Sequence, residues 1–211
     1  MNETTNYYNN TRPEIASFIP LNIKSILDIG CSQGAFLKLV KEKTGAETWG
    51  IEVVIEVAEK AKERADHILI GKIEDVLSSI PEAYFDCITF NDVLEHLLDP
   101  GEVLRIIKPK LSKNGIVIAS IPNVRYLSNL YELLIKKDWE YKDSGILDST
   151  HFRFFTQKSM KRMFENAGYK IIKQAGINKI TTSKFKLFNL LTCHIFDDSK
   201  YLQFVCIASI D

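Results

Sequence analysis

Three groups of residues have the types and spacing to do chemistry. The first is Asp28-Ile29-Gly30-Cys31-Ser32-Gln33-Gly34, where an apolar run passes into an amphipathic one. Glycines at such a junction let backbone come close to a ligand, and a helix opening offers N–H groups without partners. The spacing is GxxxG. It lacks the GxGxxG of a dinucleotide fingerprint, which speaks against a nicotinamide dehydrogenase, and no GK[ST] follows, which excludes a phosphate-cradling P-loop. Eighteen residues past Gly34, Glu52 closes a second apolar run. A carboxylate there can accept both ribose hydroxyls of an adenosine ligand.

The second group is Asp92-Val93-Leu94-Glu95-His96. Spacing of i, i+3, i+4 puts Asp92, Glu95 and His96 on one helical face. Two carboxylates and an imidazole suit Mg²⁺, Mn²⁺ or Zn²⁺, and a cation there would lower the pKa of a substrate hydroxyl. The competing reading is that Glu95 and His96 simply tie a loop and shape a pocket. The third group surrounds His151 in Gly145-Ile146-Leu147-Asp148-Ser149-Thr150-His151-Phe152-Arg153-Phe154-Phe155. An imidazole near neutrality can take a proton from an attacking hydroxyl, and His96 is the alternative base. Phe152, Phe154 and Phe155 would wall a dry pocket, Arg153 would hold an anionic group, and Trp139 would stack on a sugar or ring. Set against this, the aromatics would be core and His151 a helix cap. His67 and His194 read as structural, and Lys158, Lys161 and Arg162 as a solvated helix face.

The elements that must position these groups alternate regularly. Apolar runs over 24–29, 48–52, 67–70, 85–90 and 116–120 read as strands, and amphipathic segments over 33–43, 55–65, 73–80 and 100–111 as helices. Asp99-Pro100 is a helix opening with a carboxylate N-cap and proline in the first turn, and Lys113-Asn114-Gly115 is a turn. Strict alternation of strands and helices predicts a parallel sheet covered on both faces. Beyond Pro122 the rhythm changes. Residues 124–137 look helical, 138–155 have no clean period, Thr156 caps a helix that Gly168 ends, and two late strands cover 169–175 and 201–210.

With these residues in view, the sequence resembles the class I S-adenosylmethionine-dependent methyltransferases. LDIGCSQGAF is close to that family's first motif and WGIE to its second, while FDCITFNDVLEHLLDP and LRIIKPKLSKNGIVIASIPN resemble its fourth- and fifth-strand motifs. The resemblance implies an α/β, Rossmann-like sheet of seven strands, mostly parallel with the last antiparallel. It also implies S-adenosylmethionine as donor and S-adenosylhomocysteine as product. Asp28 would order the loop, Gly30, Cys31 and Gly34 would face the methionine part, and Asn91 would line the donor near its sulfonium. Ile73 and Glu74 fall on the segment that meets the adenine. Where the family often has an acidic residue, this chain has Lys72, so that contact falls to Glu74, Asp75 or backbone. Arg12 matches in position an arginine that meets the cofactor carboxylate in the ubiquinone-biosynthesis O-methyltransferases; otherwise it is a solvated charge on an arm. The Asp92–His96 cluster is similar to a metal-holding ExxEH in those enzymes and in the small-RNA 3′-end methyltransferases. GILDSTHFRFFT resembles a bacterial subgroup found beside glycan-assembly genes, which points to a sugar.

Composition bounds the remaining choices. The 211 residues, 45% hydrophobic and 26% charged, suit one globular domain spanning 1–211, with an N-terminal arm or lid over 1–20 and a substrate-recognition insertion over 123–156. Lys and Arg number 27, as do Asp and Glu, so no global field recruits nucleic acid, and no nucleic-acid partner is expected. Four dispersed cysteines without a CxxC fit reduced thiols in a cytoplasmic protein. The polar start has no secretory signal, and no apolar run is long enough to span a membrane. The expectation is methyl transfer to a small-molecule or glycan hydroxyl by a monomer or homodimer. The rivals are N-methylation of a small amine, RNA 3′-end methylation with a metal site, and a non-catalytic cofactor-binding scaffold.

Overall fold

The structure, a computed structural model, describes residues 9–180 and 182–210. Residues 1–8 of the expected arm lie outside the described residues. Seven strands form one sheet: β1 (Ser25–Ile29), β2 (Glu47–Glu52), β3 (His67–Ile70), β4 (Phe85–Asn91), β5 (Leu111–Pro122), β6 (Lys170–Lys179) and β7 (Tyr201–Ser209). Their order is β3-β2-β1-β4-β5-β7-β6. The first five pair in parallel, while β7 runs antiparallel to both β5 and β6. This is the α/β sheet expected, with β7 antiparallel. Strand order reverses between β1 and β4, and in open α/β sheets the crevice at such a switch point takes the ligand.

Alternation along each central strand explains the two-sided core. Leu27, Ile88, Val117 and Ala119 enter one apolar cluster with Val103, Leu104, Met160 and Phe164. Ile26, Cys87, Ile118 and Val205 enter the other with Ile15, Phe36, Leu37 and Val40. The helices covering the sheet are α1 (Pro13–Ala16), α2 (Ala35–Thr44), α3 (Ile55–Ala61), α4 (Ile73–Val76), α5 (Pro100–Ile107), α6 (Leu127–Tyr131), α7 (Gln157–Asn166) and α8 (Ser183–Leu191). Asp99 caps α5 as its sequence suggests, its Oδ1 accepting from Glu102 N at 2.9 Å. Thr156 and Ser159 close a reciprocal capping box on α7.

Several boundaries differ from the sequence reading. The expected turn at Lys113-Asn114-Gly115 falls inside β5 as a bulge: Phe85 pairs with Leu111 and Cys87 with Ile116, so 112–115 loop out opposite Asp86, and a Cβ on Gly115 would come within 3.1 Å of Ser112 N. Gly115 allows this, since a Cβ there would lie 2.6 Å from the Phe85 carbonyl oxygen. The helix expected over 124–137 is a short α6 that widens into a π-helical stretch over Glu132–Lys136. The connection between the last two strands carries α8, which no clear period announced.

Gly50, in the WGIE segment, shows how tightly β2 is packed beneath the first turn. A Cβ at Gly50 would stand 2.5 Å from Cys31 Sγ and 2.7 Å from Ile68 Cδ1. Gly50→Ala should therefore lower the unfolding free energy by about 1–3 kcal/mol, the usual cost of overpacking. Urea denaturation would measure this, and an unchanged midpoint would mean Cys31 is free to swing away.

Candidate active site

A cavity of about 880 Å³ opens at the carboxyl ends of β1, β2 and β4. Its lining includes Arg12, Asp28, Gly30, Cys31, Glu52, Ile73, Glu74, Asn91, Asp92 and His96, so residues far apart in sequence converge there. Volume and lining suit a small molecule with both apolar and hydroxyl-bearing parts. Lys72 lines it too, beside Ile73 and Glu74, while Asp75 is not in the lining.

The turn after β1 departs from the sequence expectation in one respect. Several of its N–H groups are already paired: Gly30 N and Cys31 N donate to Ile51 O at 2.8 and 3.0 Å, Gly34 N donates to Cys31 O at 2.9 Å, and Ser32 N donates to Glu52 Oε2 at 2.9 Å, while the ladder of α2 begins only with Lys38 N donating to Gly34 O. The remaining Oε1 of Glu52 accepts from Val53 N and Val54 N. Glu52 is thus locked at the end of β2 by three backbone donors, with its carboxylate at the cavity wall. Gly30 and Gly34 sit at φ +76° and +75°, and a Cβ on Gly30 would lie 2.5 Å from Val93 Cγ2. Gly30 is thus required by its left-handed backbone and by Val93 behind it.

Asp28 is buried between β1 and β4. Its Oδ1 accepts from Thr89 Oγ1 at 2.6 Å and from Asn91 Nδ2 at 3.1 Å. Burial pushes its pKa up to about 7, against the pull of those two hydrogen bonds. Using its Nδ2 on Asp28 leaves Asn91 Oδ1 buried with no partner. An unpaired buried acceptor in a cavity-lining residue invites a ligand donor. Burial, with the carboxylates of Asp28 and Glu52, raises the Cys31 thiol, so it stays protonated and packs as a small apolar group.

Arg12 is no solvated charge. Its guanidinium pairs with Asp92 and Glu14 and donates to Ser120 Oγ and Gln203 Oε1, both at 3.1 Å. Gln203 Nε2 in turn donates to Asp92 Oδ1 at 2.7 Å. Arg12 holds φ 46° within this net, a conformation that four side-chain partners over-determine. Ser120 and Gln203 were not singled out by the sequence reading; a polar residue inside an otherwise apolar strand was the available signal.

That net also sets Asp92 apart from the expected metal cluster. The group that does converge is Glu95, His96 and His151, whose ligand atoms lie within 4.8 Å of one another. Phe152 N and Arg153 N both donate to Glu95 O, at 2.9 and 3.1 Å, and this brings the distant 145–155 segment over the end of β4. The rings of His96 and His151 meet edge to face at 4.6 Å. His151 Nδ1 lies 2.9 Å from Ile146 O, and His96 Nδ1 lies 3.3 Å from Thr150 O. With Nδ1 donating to those carbonyls, each Nε2 keeps its lone pair. Burial and the nearby Asp92 hold the Glu95 carboxyl well above the usual carboxylate range. Burial and His151 lower the His96 pKa. Both carboxyl oxygens of Glu95 are buried without a partner.

The remaining candidates fall elsewhere. Phe152 lines the main cavity. Arg153 lines a neighbouring one, and Phe154 packs against Trp139, whose ring lies 5.2 Å away and outside both linings. Gly34 opens α2 behind the cavity wall.

Comparison with known proteins agrees with this architecture. A family model described as a methyltransferase domain matches residues 7–174. The ubiquinone biosynthesis O-methyltransferase of Aeromonas salmonicida is 30% identical over 171 residues, 78% of this chain and 71% of that protein. The enzyme of the same description from Coxiella burnetii is 25% identical, covering 83% and 78%. An uncharacterized protein of Haemophilus influenzae is 31% identical over 122 residues, which is 52% of this chain and 46% of that protein. Among solved structures, a SAM dependent methyltransferase from Archaeoglobus fulgidus superposes with a TM-score of 0.70 over 98% of this chain and 99% of its own, at 19% identity, a likeness of fold.

The raised pKa of Asp28 makes stability depend on pH in a defined direction. Unfolded, an aspartate loses its proton near 3.8; folded, Asp28 keeps it to about 7. Between those values the folded state binds more protons, so its stability falls as pH rises through that window. Asp28→Asn removes this slope while keeping an acceptor for Thr89 and Asn91. The stability of the Asn variant relative to the parent should therefore climb from pH 4 to pH 7 in urea titrations. A constant difference would mean Asp28 is already ionised in the folded chain.

Proposed function

The chain belongs to the class I S-adenosylmethionine-dependent methyltransferases, and we propose that it methylates a hydroxyl of a small molecule or sugar with His151 assisting deprotonation. The observation that carries this reading is the pairing of His96 and His151 over buried Glu95, beside the cavity that Glu52 and Asn91 line. The name of the relatives from Aeromonas and Coxiella, an O-methyltransferase, supports oxygen as the acceptor atom.

The lining fits the donor. Glu52 would accept the ribose hydroxyls, Ile73 and Glu74 would flank the adenine, and Gly30 and Cys31 would lie along the methionine part. The unpaired Asn91 Oδ1 offers the cavity wall an acceptor where the positively charged sulfonium would lie. When bound, S-adenosylmethionine supplies a methyl group already activated by the sulfonium charge. The protein's work is then to orient the acceptor, exclude water and take up a proton. A hydroxyl holds its proton far above neutrality and needs a base, whereas an amine need only lose one ammonium proton. His151 stands behind the cavity-lining His96, their rings 4.6 Å apart, and with Nδ1 donating to Ile146 O its Nε2 would take up the proton. Phe152 shields the approach, and Arg12, held by Asp92 and Gln203, fixes the arm along the cavity.

A second reading of the same cluster rests on the two partnerless oxygens of Glu95. A divalent cation held by Glu95, His96 and His151 would satisfy them, and both histidines already have Nδ1 against a carbonyl, as metal-bound imidazoles usually do. Asp92, engaged by Arg12, Ser120 and Gln203, would stand outside that ligand set.

Calorimetric titration of S-adenosylhomocysteine into chelator-treated protein tests the donor site, with binding expected and its absence favouring a scaffold. His151→Ala should then leave that affinity unchanged and cut turnover on phenolic or glycosyl acceptors by about 10²–10⁴. Unchanged turnover would remove His151 from the mechanism. Heat from Zn²⁺ or Mn²⁺ that Glu95→Gln abolishes would decide for the metal reading; no heat would leave His151 as the base.

A further inference from the structure

A second cavity, of about 360 Å³, abuts the first and shares Leu98 and Asp99 with it. It lies between the opening of α5 and the far end of α7, with Pro100, Phe155 and Met163 as apolar walls. Two guanidinium groups, Arg105 from α5 and Arg153 from the 145–155 segment, line it together with Asn166. Resting on the assignment of the main cavity to donor and acceptor, we propose that this side cavity is an oxyanion subsite, where Arg105 and Arg153 grip a phosphate or carboxylate carried by the acceptor.

Each guanidinium is aimed by one tether. Arg153 Nη2 donates to Leu98 O at 2.5 Å, and Arg105 Nε donates to Glu102 Oε2 at 2.8 Å. Arginine has five N–H donors, and among the described residues the others of these two side chains have no protein partner. Arg105 and Arg153 outnumber the one carboxylate in the lining, Asp99, whose Oδ1 is occupied in capping α5. Glu102 lines the main cavity and tempers Arg105, so the grip is modest. A pair of planar guanidinium forks recognises phosphate or carboxylate bidentately, which lysines would not do.

Chain connectivity joins the subsite to the chemistry. Leu98 follows His96 by two residues, and Arg153 follows His151 by two. An acceptor whose hydroxyl reaches the two histidines can pass across Leu98 and bring its anion to Arg153. The substrate class is therefore an anionic hydroxyl compound, a sugar phosphate or a uronic acid, rather than a neutral glycoside.

Pyrophosphate is the probe for the site alone, titrated into the full chain saturated with S-adenosylhomocysteine. Saturable millimolar binding is expected, weakened about tenfold or more by Arg105→Gln or Arg153→Gln, with the affinity for S-adenosylhomocysteine unchanged in both variants. That unchanged affinity also shows that the variants are folded. Arg105→Lys and Arg153→Lys keep the charge but lose the fork, and should recover only part of the binding. In turnover assays, a glycosyl phosphate arm and a uronate arm against a neutral glycoside would separate the two anion sources. Loss of the anionic preference in the double Gln variant is expected. Absence of saturable binding, or binding indifferent to both arginines, would overturn the subsite. Failure of S-adenosylhomocysteine to bind would instead overturn the donor site on which it rests.

Discussion

The carboxyl edge of the sheet depends on where the backbone N–H groups of the turn after β1 find acceptors. Glycines in left-handed conformation bend the chain sharply there, and a bend leaves donors that burial would otherwise penalise. Ile51 O takes two of them and the Glu52 carboxylate a third. The end of β2 therefore sets the shape of the turn after β1, and the turn in turn clamps Glu52. Gly50 completes the arrangement by leaving room for the Cys31 side chain. One consequence is that the donor would lie along a turn whose Gly30, Cys31, Ser32 and Gly34 N–H groups are already paired. Affinity for it would draw on side-chain acceptors such as Glu52 and Asn91, on shape, and on the N–H groups at the opening of α2.

A second dependence runs through the carbonyl of Glu95. By accepting from both Phe152 N and Arg153 N, it ties the segment after α6 to the end of β4. That tie places His151 against His96, Phe152 at the main cavity and Arg153 at the side cavity. Three functional assignments thus share one backbone anchor. The Arg12 net does the same for the opposite wall, joining α1 to β4, β5 and β7 through Asp92, Ser120 and Gln203.

How legible this was in the sequence follows from the range of the forces involved. The strands read clearly because those of a doubly covered sheet are apolar on both faces, as Ile26 and Leu27 or Cys87 and Ile88 show by entering opposite clusters. The Asp99 cap and the Thr156 cap were equally plain, since their partners lie three residues away. The turn expected at Lys113-Asn114-Gly115 is present as a bulge between the Leu111 and Ile116 pairings; what the sequence did not show is that the strand already begins before it, at Leu111 opposite Phe85. Ser120 and Gln203 stood out only as polar residues in apolar strands, because the Arg12 guanidinium that gives them their role lies more than a hundred residues away. The spacing of Asp92, Glu95 and His96 suggested one cluster; the structure divides it, because Arg12 competes for Asp92 and the His151 segment supplies the other imidazole.

That division sharpens what Glu95 must do. A carboxyl with both oxygens buried and left without a hydrogen-bond partner is costly if ionised, and Asp92 adds like-charge repulsion. A fold that needed only a loop tie could use the Glu95 backbone carbonyl alone, since that atom makes the contacts to Phe152 and Arg153. The side chain contributes nothing to those bonds, and an apolar residue of similar size would avoid the cost. A buried acid retained beside two imidazoles whose Nε2 atoms keep their lone pairs makes physical sense as a group that exchanges a proton or meets a cation. Either use would explain why the insertion is tied so firmly to that residue.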